Sequence, residues 1–219
     1  MKYNDPKLEE IANYVQPRLE NDPGHDFSHC QRVARWTIQF GEGKFEDRLA
    51  IAASLLHDIV NLPKNHPEAH LASQYSAEVS RKLLKELLFD EAEISLISDA
   101  ILDHSYSRGK VPTSYLGKAL QDADRLEALG ALGIFRLIST GTKMGARYFN
   151  SEDPWAQNRV LDDKKYSLDH FFTKLLKLPA TMTTEAGRNE AERRCEFIQL
   201  FLDELHLELE EKELLWTKR

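Results

Sequence analysis

The chain has 219 residues, 42% of them hydrophobic and 30% charged, a composition typical of a globular protein that buries a sizeable core. Its 36 acidic and 29 basic residues give a net charge of −7, which argues against a nucleic-acid surface but allows a small anionic substrate in a cleft. Two widely separated cysteines, no signal-peptide pattern and no long apolar run predict a cytoplasmic protein without zinc finger, disulfide framework or membrane association.

The first half of the chain predicts five helices. The first follows the helix-start signal Asp5-Pro6 and is broken by the turn sequence at 21–24. The spacing of apolar residues predicts the other four at Phe27–Phe40, Glu46–His57, Leu71–Leu88 and Asp90–Asp103. Prolines and glycine mark 61–67 and 105–112 as loops.

The second half predicts three more helices, from Leu116 to about Thr140, Ser167 to Leu178, and Glu185 to about Leu214. No strand-like alternation appears, so we predict an all-α bundle with its pocket between helices. We expect a single domain over residues 1–219, with a core at about 22–140 and a C-terminal helical part at about 141–214 packed on it. The aromatic residues expected in the core are Trp36, Phe40, Phe135, Phe197 and Phe201.

The adjacent pair His57-Asp58 closes the apolar run 51–56. Two polar side chains at the end of a buried helix are costly unless a partner satisfies them, and a bound cation does so. The alternative is a histidine favoured by the helix dipole, followed by a turn aspartate.

His29 upstream and Asp124 downstream add a second imidazole and a second carboxylate, each near the start of its own predicted helix. Such ligands suit a divalent ion such as Mn²⁺, Mg²⁺, Fe²⁺ or Zn²⁺. Coordination positions left open could take water and a phosphoryl oxygen, which is the arrangement that hydrolysis of a phosphate ester requires.

These residues resemble the H…HD…D signature of the HD-domain phosphohydrolases, in the segments His29…Arg32-Val33, Leu55-Leu56-His57-Asp58 and Asp122-Ala123-Asp124-Arg125-Leu126. Further segments are similar to a bacterial subgroup of small stand-alone HD proteins, which includes nucleotide pyrophosphohydrolases. These segments are His25-Asp26-x-x-His29, Leu62-Pro63-Lys64-Asn65, His104-Ser105, Asp124-Arg125-Leu126-x-Ala128-Leu129-Gly130 and His170-Phe171-Phe172-x-Lys174-Leu175. The resemblance implies an HD-domain helical bundle with the metal site between helices.

The resemblance also implies that His29, His57, Asp58 and Asp124 bind one divalent metal ion. Mn²⁺ is expected first, with Mg²⁺, Fe²⁺, Co²⁺, Ni²⁺ and Zn²⁺ as alternatives. Asp122 competes for the last position, but residues two apart on a helix face different ways. The family pattern matches Asp124, which leaves Asp122 as a cap or a hydrogen-bond acceptor.

Asp58 and His104 are the expected catalytic residues, orienting or deprotonating a metal-activated water. His104 has the alternative of a structural histidine at a helix end. The monophosphatase branch of the family has a carboxylate three residues after the Asp of the pair, where this chain has Asn61, and an amide cannot act as a base. This departure weakens the interpretation of the chain as a monophosphatase of that branch.

The expected substrate-binding residues are His25, Arg32, Lys64 and His66. Arg32 shares a helix face with His29 and could equally pair with a buried carboxylate. Lys64 and His66 lie in the loop behind the His-Asp pair, where a cation could meet phosphate or simply face solvent. His25 could be a turn residue.

The leading hypothesis is a metal-dependent phosphohydrolase that cleaves a (deoxy)nucleoside triphosphate to monophosphate and pyrophosphate. The alternatives are hydrolysis of another phosphoester (a nucleoside monophosphate, a cyclic nucleotide or an alarmone), a non-catalytic nucleotide-binding module, and a di-iron oxygenase with His104 as an extra ligand. The expected partner is a small anionic phosphate compound rather than nucleic acid or membrane. The oligomeric state is left open.

Overall fold

The computed structural model describes residues 3–19, 24, 26–62, 66–105 and 108–210. Their nine α-helices are α1 (Pro6–Val15), α2 (Phe27–Gly41), α3 (Asp47–Leu56), α4 (Ala72–Glu86), α5 (Glu91–Asp103), α6 (Tyr115–Leu126), α7 (Gly130–Lys143), α8 (Ser167–Thr173) and α9 (Glu185–Glu210). Within these residues, pairing of the β type is limited to an isolated bridge between Arg147 and Tyr166. The all-α prediction is therefore confirmed.

Side-chain caps determine where the early helices begin. Asp5 accepts a hydrogen bond from the N–H of Lys7 ahead of α1, and Pro6 occupies the first helical position. Asp26 accepts a hydrogen bond of 2.7 Å from the N–H of His29. This cap fixes the first turn of α2, which carries His29.

The described residues form two compact units. The first runs as far as Glu127 and includes Met182–Arg188, and the second comprises Ala128–Thr181 and the residues from Asn189 onward. The single domain over residues 1–219, with a core at about 22–140 and a C-terminal part at about 141–214, stays a prediction.

Helix α3 lies at the centre of the first unit, where it contacts α1, α2, α4, α5 and α6. Its Ala52, Ala53, Leu55 and Leu56 are fully buried, and the alanines let neighbouring helices approach closely. Full burial of a leucine side chain stabilises the fold by about 1.5–3 kcal/mol relative to exposure. Helices α2 and α6 also pack on each other, so the three helices that carry the predicted site form one group.

The prediction of one helix from Leu116 to about Thr140 is wrong, because the chain breaks it at 127–129 into α6 and α7. Gly130 starts α7 with a φ of +72°, a left-handed conformation that glycine adopts without strain. Apolar residues continue on both sides of the break, so their periodicity does not reveal it.

The last two helices also differ from their predicted bounds. Helix α8 ends at Thr173, before the predicted Leu178, and the chain continues as a 3₁₀ turn that contains Pro179. The predicted end of α9 near Leu214 lies outside the described residues. Although α9 has 26 residues, no described helix is both long and apolar enough to cross a membrane.

Two aromatic residues predicted in the core are exposed instead, Phe135 at 75% and Phe197 at 46%. Helix α7 turns its glycines, Gly130 and Gly133, inward, which leaves Phe135 on the outer side. The other three predicted aromatic residues are buried or half-buried, namely Phe40, Trp36 and Phe201.

Candidate metal centre

Four side chains from three helical segments meet at one place in the first unit. His29 lies in the first turn of α2, His57 and Asp58 follow α3, and Asp124 lies in the last turn of α6. One nitrogen or oxygen atom from each lies within 4.8 Å of the others. The structure thus brings together the four residues that the sequence predicted as ligands, and such a set could bind a divalent metal ion.

The chain leaves α3 at the His-Asp pair. Helix α3 ends at Leu56, and His57 retains helical backbone angles of −58° and −36°. His57 is buried, and Asp58 stands in the following turn with 22% of its side chain exposed. Nε2 of His57 and Oδ2 of Asp58 lie 3.3 Å apart, so the ends of both side chains reach the same point.

Both histidines of this group hold their Nδ1 atoms against groups that accept hydrogen bonds. Nδ1 of His57 lies 2.7 Å from the carbonyl oxygen of Ser54. Nδ1 of His29 lies 3.3 Å from the carboxylate of Glu127. Because a carbonyl or an ionised carboxylate has no proton to donate, Nδ1 carries the hydrogen of the neutral ring. The lone pair of Nε2 is then directed into the site.

The Nε2 atoms face carboxylate oxygens. Nε2 of His29 lies 3.6 Å from Oδ1 of Asp124, and Nε2 of His57 lies 3.3 Å from Oδ2 of Asp58 and 3.8 Å from Oδ1 of Asp124. Nε2 of His57 is buried and forms no hydrogen bond with the described residues. A cation between these lone pairs and carboxylates would satisfy all of them, so the residues fit a divalent metal ion.

The ionisation of these groups is mutually dependent. Burial alone would lower the pKa of His57, but the carboxylates of Asp58 and Asp124 raise that pKa well above its ordinary value. Burial alone would raise the pKa of each carboxyl, but His57 brings the pKa of both below the ordinary range. Without a metal ion the site therefore favours a proton on His57, with which a metal ion would compete.

His104 adds a third imidazole beside the cluster. Its ring lies 5.0 Å from that of His57, and its Nε2 lies 3.6 Å from Oδ1 of Asp58. Its Nδ1 lies 2.6 Å from the carbonyl oxygen of Ile101, which directs Nε2 toward Asp58. The two predicted catalytic residues are therefore neighbours.

Asp122 lies outside the cluster. Its carboxylate accepts hydrogen bonds from the backbone N–H groups of Thr183 and Thr184 and from both of their hydroxyl groups. Burial raises the pKa of this carboxyl, although the hydrogen bonds oppose that effect. Asp122 therefore has the acceptor role that its helical position suggested.

Arg32 pairs with a buried carboxylate that the sequence did not single out, that of Glu127. Its Nε donates to Oε2 of Glu127 at 2.8 Å, and the same oxygen lies near Nδ1 of His29. One signal was available, because Glu127 follows Asp124 by three residues and so shares its helix face. Of the two roles considered for Arg32, the structure contains the pairing with a buried carboxylate. Contact of Arg32 with substrate stays a prediction.

The other predicted substrate-binding residues are His25, Lys64 and His66. His25 and Lys64 lie outside the described residues. His66 is exposed, and its Nδ1 accepts a hydrogen bond from the N–H of Glu68 at 3.1 Å. Contact of these three side chains with substrate stays a prediction.

Comparison with known proteins adds an independent finding. Residues 26–129 match the family model of the HD domain. The chain is 31% identical over 207 residues to the Bacillus subtilis protein YpgQ, itself described as uncharacterized, and the match covers 93% of this chain and 94% of that one.

Two solved structures resemble this one over nearly their whole length. The crystal structure of Bacillus subtilis YpgQ in complex with ADP has a TM-score of 0.69 at 28% identity and covers 97% of both chains. An HD-superfamily hydrolase from Bacillus thuringiensis has a TM-score of 0.70 at 30% identity, covering 92% of this chain and 96% of that one. With its H…HD…D residues gathered in one cluster, the chain belongs to the HD-domain family, among proteins described as HD-superfamily hydrolases.

Proposed function

We propose that this protein is a metal-dependent phosphohydrolase that converts a (deoxy)nucleoside triphosphate to the monophosphate and pyrophosphate. The observation that carries the proposal is the cluster itself, in which buried Nε2 atoms face two carboxylates and a third imidazole stands at the edge. Membership of the HD-domain family supports hydrolysis, and the ADP bound to the YpgQ relative supports a nucleotide.

In this proposal, His29, His57, Asp58 and Asp124 hold one divalent ion, with Mn²⁺ expected first. When bound, the ion supplies Lewis acidity, which lowers the pKa of a coordinated water and offsets charge on the phosphoryl group. Imidazole and carboxylate ligands also accept Mg²⁺, Fe²⁺, Co²⁺, Ni²⁺ and Zn²⁺, so the choice of metal requires experiment.

Asp58 and His104 handle the water in this proposal. Asp58 orients the attacking water, and Nε2 of His104, 3.6 Å from Asp58, accepts its proton as general base. The water oxygen adds to the α-phosphorus while the bond to the bridging oxygen of the β-phosphate breaks, and pyrophosphate leaves. His25, Lys64 and His66 are the proposed cationic contacts to the phosphates.

The test is a panel of nucleotides crossed with Mn²⁺, Mg²⁺, Co²⁺ and Ni²⁺, with phosphate and pyrophosphate measured separately. We expect pyrophosphate from at least one nucleoside triphosphate, and no activity in His57→Ala or Asp58→Ala. The matched control is His70→Ala, which removes an exposed imidazole and should leave the activity unchanged. Activity that survives in His57→Ala and Asp58→Ala would refute the mechanism.

Product analysis by chromatography separates the alternatives. Release of phosphate from a nucleoside monophosphate, or opening of a cyclic nucleotide, would identify that phosphoester as the substrate in place of a nucleoside triphosphate. Tight binding of a nucleotide without turnover under every metal would instead identify a non-catalytic binding module.

A further inference from the structure

Glu127 is a fully buried carboxylate directly behind the candidate metal centre. It closes α6 three residues after Asp124, and its Oε2 lies 3.3 Å from Nδ1 of His29 and 2.8 Å from Nε of Arg32. The guanidinium of Arg32 has donors and no acceptor, so Oε2 of Glu127 accepts this hydrogen bond, as a carboxylate oxygen does.

His29 differs from the other two histidines of the site in what holds its ring. Nδ1 of His57 and of His104 each lie near a carbonyl oxygen of their own preceding helical turn, at 2.7 and 2.6 Å. Those acceptors exist whenever the helix exists. Nδ1 of His29 instead faces the side chain of Glu127, 98 residues away in sequence, so the orientation of this ring depends on that residue.

Arg32 in turn holds Glu127. Arg32 lies one helical turn after Ser28, and its Nη1 donates a hydrogen bond of 3.0 Å to the Oγ of Ser28. The Nε of Arg32 donates to Oε2 of Glu127. The side chain of Arg32 is 27% exposed while that of Glu127 is fully buried, so the pair holds the carboxylate in place without burying the arginine completely.

We propose that Glu127, held by Arg32, is the positioning residue that sets the tautomer and orientation of His29 for metal binding. Arg32 then acts through Glu127 and not as a phosphate contact. A histidine ligand with a carboxylate behind it is also a better electron donor, and loss of such a partner typically weakens metal binding by about 10- to 100-fold. This inference rests on the metal-binding part of the proposed function.

The first measurement is the Kd for Mn²⁺, by electron paramagnetic resonance of the free ion, in Glu127→Gln and Glu127→Leu. We expect Glu127→Gln to bind several-fold more weakly, because one neutral acceptor oxygen remains, and Glu127→Leu to bind about 10- to 100-fold more weakly. The matched control is Glu190→Gln, which removes another arginine-paired carboxylate and should leave the Kd unchanged. Circular dichroism verifies folding, and the near-isosteric glutamine variant serves if the leucine variant does not fold.

The second measurement reads the ring of His29 directly. In ¹⁵N spectra of metal-free, histidine-labelled protein, the neutral ring should carry its hydrogen on Nδ1 in the wild type and distribute it over both nitrogens in Glu127→Leu. The His29→Gln variant assigns the signal. If the Glu127–Arg32 ion pair is purely structural, the tautomer of His29 stays unchanged in Glu127→Leu. That result would overturn the inference.

The third measurement concerns Arg32. If it acts through Glu127, Arg32→Gln weakens Mn²⁺ binding, and the double variant with Glu127→Gln is no weaker than Glu127→Gln alone. If Arg32→Gln raises KM for the nucleotide at an unchanged Kd for Mn²⁺, Arg32 is a substrate contact, and the proposed role of Arg32 is overturned.

Wild-type protein that binds no Mn²⁺ refutes the metal site and this inference together. Mn²⁺ binding without nucleotide hydrolysis refutes only the proposed substrate.

Discussion

Asp122 and Asp124 lie two residues apart on α6, yet the carboxylate of Asp122 accepts hydrogen bonds from the backbone of Thr183 and Thr184, whereas Oδ1 of Asp124 lies 3.6 Å from Nε2 of His29. A helix advances about 100° per residue, so these two carboxylates point to nearly opposite sides of α6. The carboxylate of Asp122 ties the segment before α9 to α6, and the carboxylate of Asp124 faces the candidate metal centre.

We predict opposite effects of the two amide substitutions. Asp122→Asn places an NH₂ group opposite backbone N–H donors and should lower the free energy of unfolding by about 2–3 kcal/mol while Mn²⁺ binding is retained. Asp124→Asn should abolish Mn²⁺ binding. Denaturant unfolding and Mn²⁺ titration of both variants provide the comparison. An Asp122→Asn protein that is fully stable but unable to bind Mn²⁺ would reverse the assignment.

Gly187 should not tolerate a side chain, although alanine is normally favoured over glycine in a helix. A Cβ atom there would lie 2.6 Å from Oγ1 of Thr184 and 2.8 Å from Oδ2 of Asp122. We predict that Gly187→Ala lowers the melting temperature, with a destabilisation of about 1–3 kcal/mol. Because both changes damage one hydrogen-bond network, the double variant with Asp122→Asn should be less destabilised than the sum of the single variants. Simple additivity would argue against this coupling.

His104 should affect turnover more than metal binding. Its Nε2 lies near Asp58 but outside the group of four mutually close ligand atoms. If it is the general base, His104→Gln should reduce kcat by about 10²- to 10⁴-fold and change the Kd for Mn²⁺ little. Steady-state kinetics at saturating Mn²⁺, together with an independent Mn²⁺ titration, separate the two effects. Loss of Mn²⁺ binding in this variant would make His104 a ligand instead.

Metal binding should strengthen as pH rises. The pKa of His57 is raised well above 6.5, so the stability from its bound proton is fully present below pH 6.5 and is lost as pH rises through that raised pKa. The metal-free protein should therefore become less stable above pH 6.5. The lowered pKa values of Asp58 and Asp124 contribute stability that is present above their ordinary value of 3.8 and is lost only as pH falls below it.

A metal ion that displaces one proton from His57 gains about tenfold in affinity per pH unit below the raised pKa. Melting temperatures between about pH 6 and 8.5, with Mn²⁺ or with a chelator, should show a stabilisation by Mn²⁺ that grows with pH. A pH-independent shift would mean that no proton is displaced.

Local sequence signals located most of the helices. The cap at Asp26 and the apolar run before His57 depend on neighbours in sequence, and α2 and α3 begin and end within a residue of the predicted positions. The break before Gly130 and the exposure of Phe135 depend on how α7 packs, which a periodic pattern does not encode.

The all-α class follows from helix periodicity, and the four residues of the candidate centre follow from the H…HD…D pattern, because both can be read along the chain without knowledge of the fold. Folding decides which groups Asp122 contacts, namely Thr183 and Thr184, and it places Glu127 behind His29. The reason is physical: a carboxylate has the same chemistry everywhere in a sequence, and its role follows from the donors that folding brings within hydrogen-bonding distance.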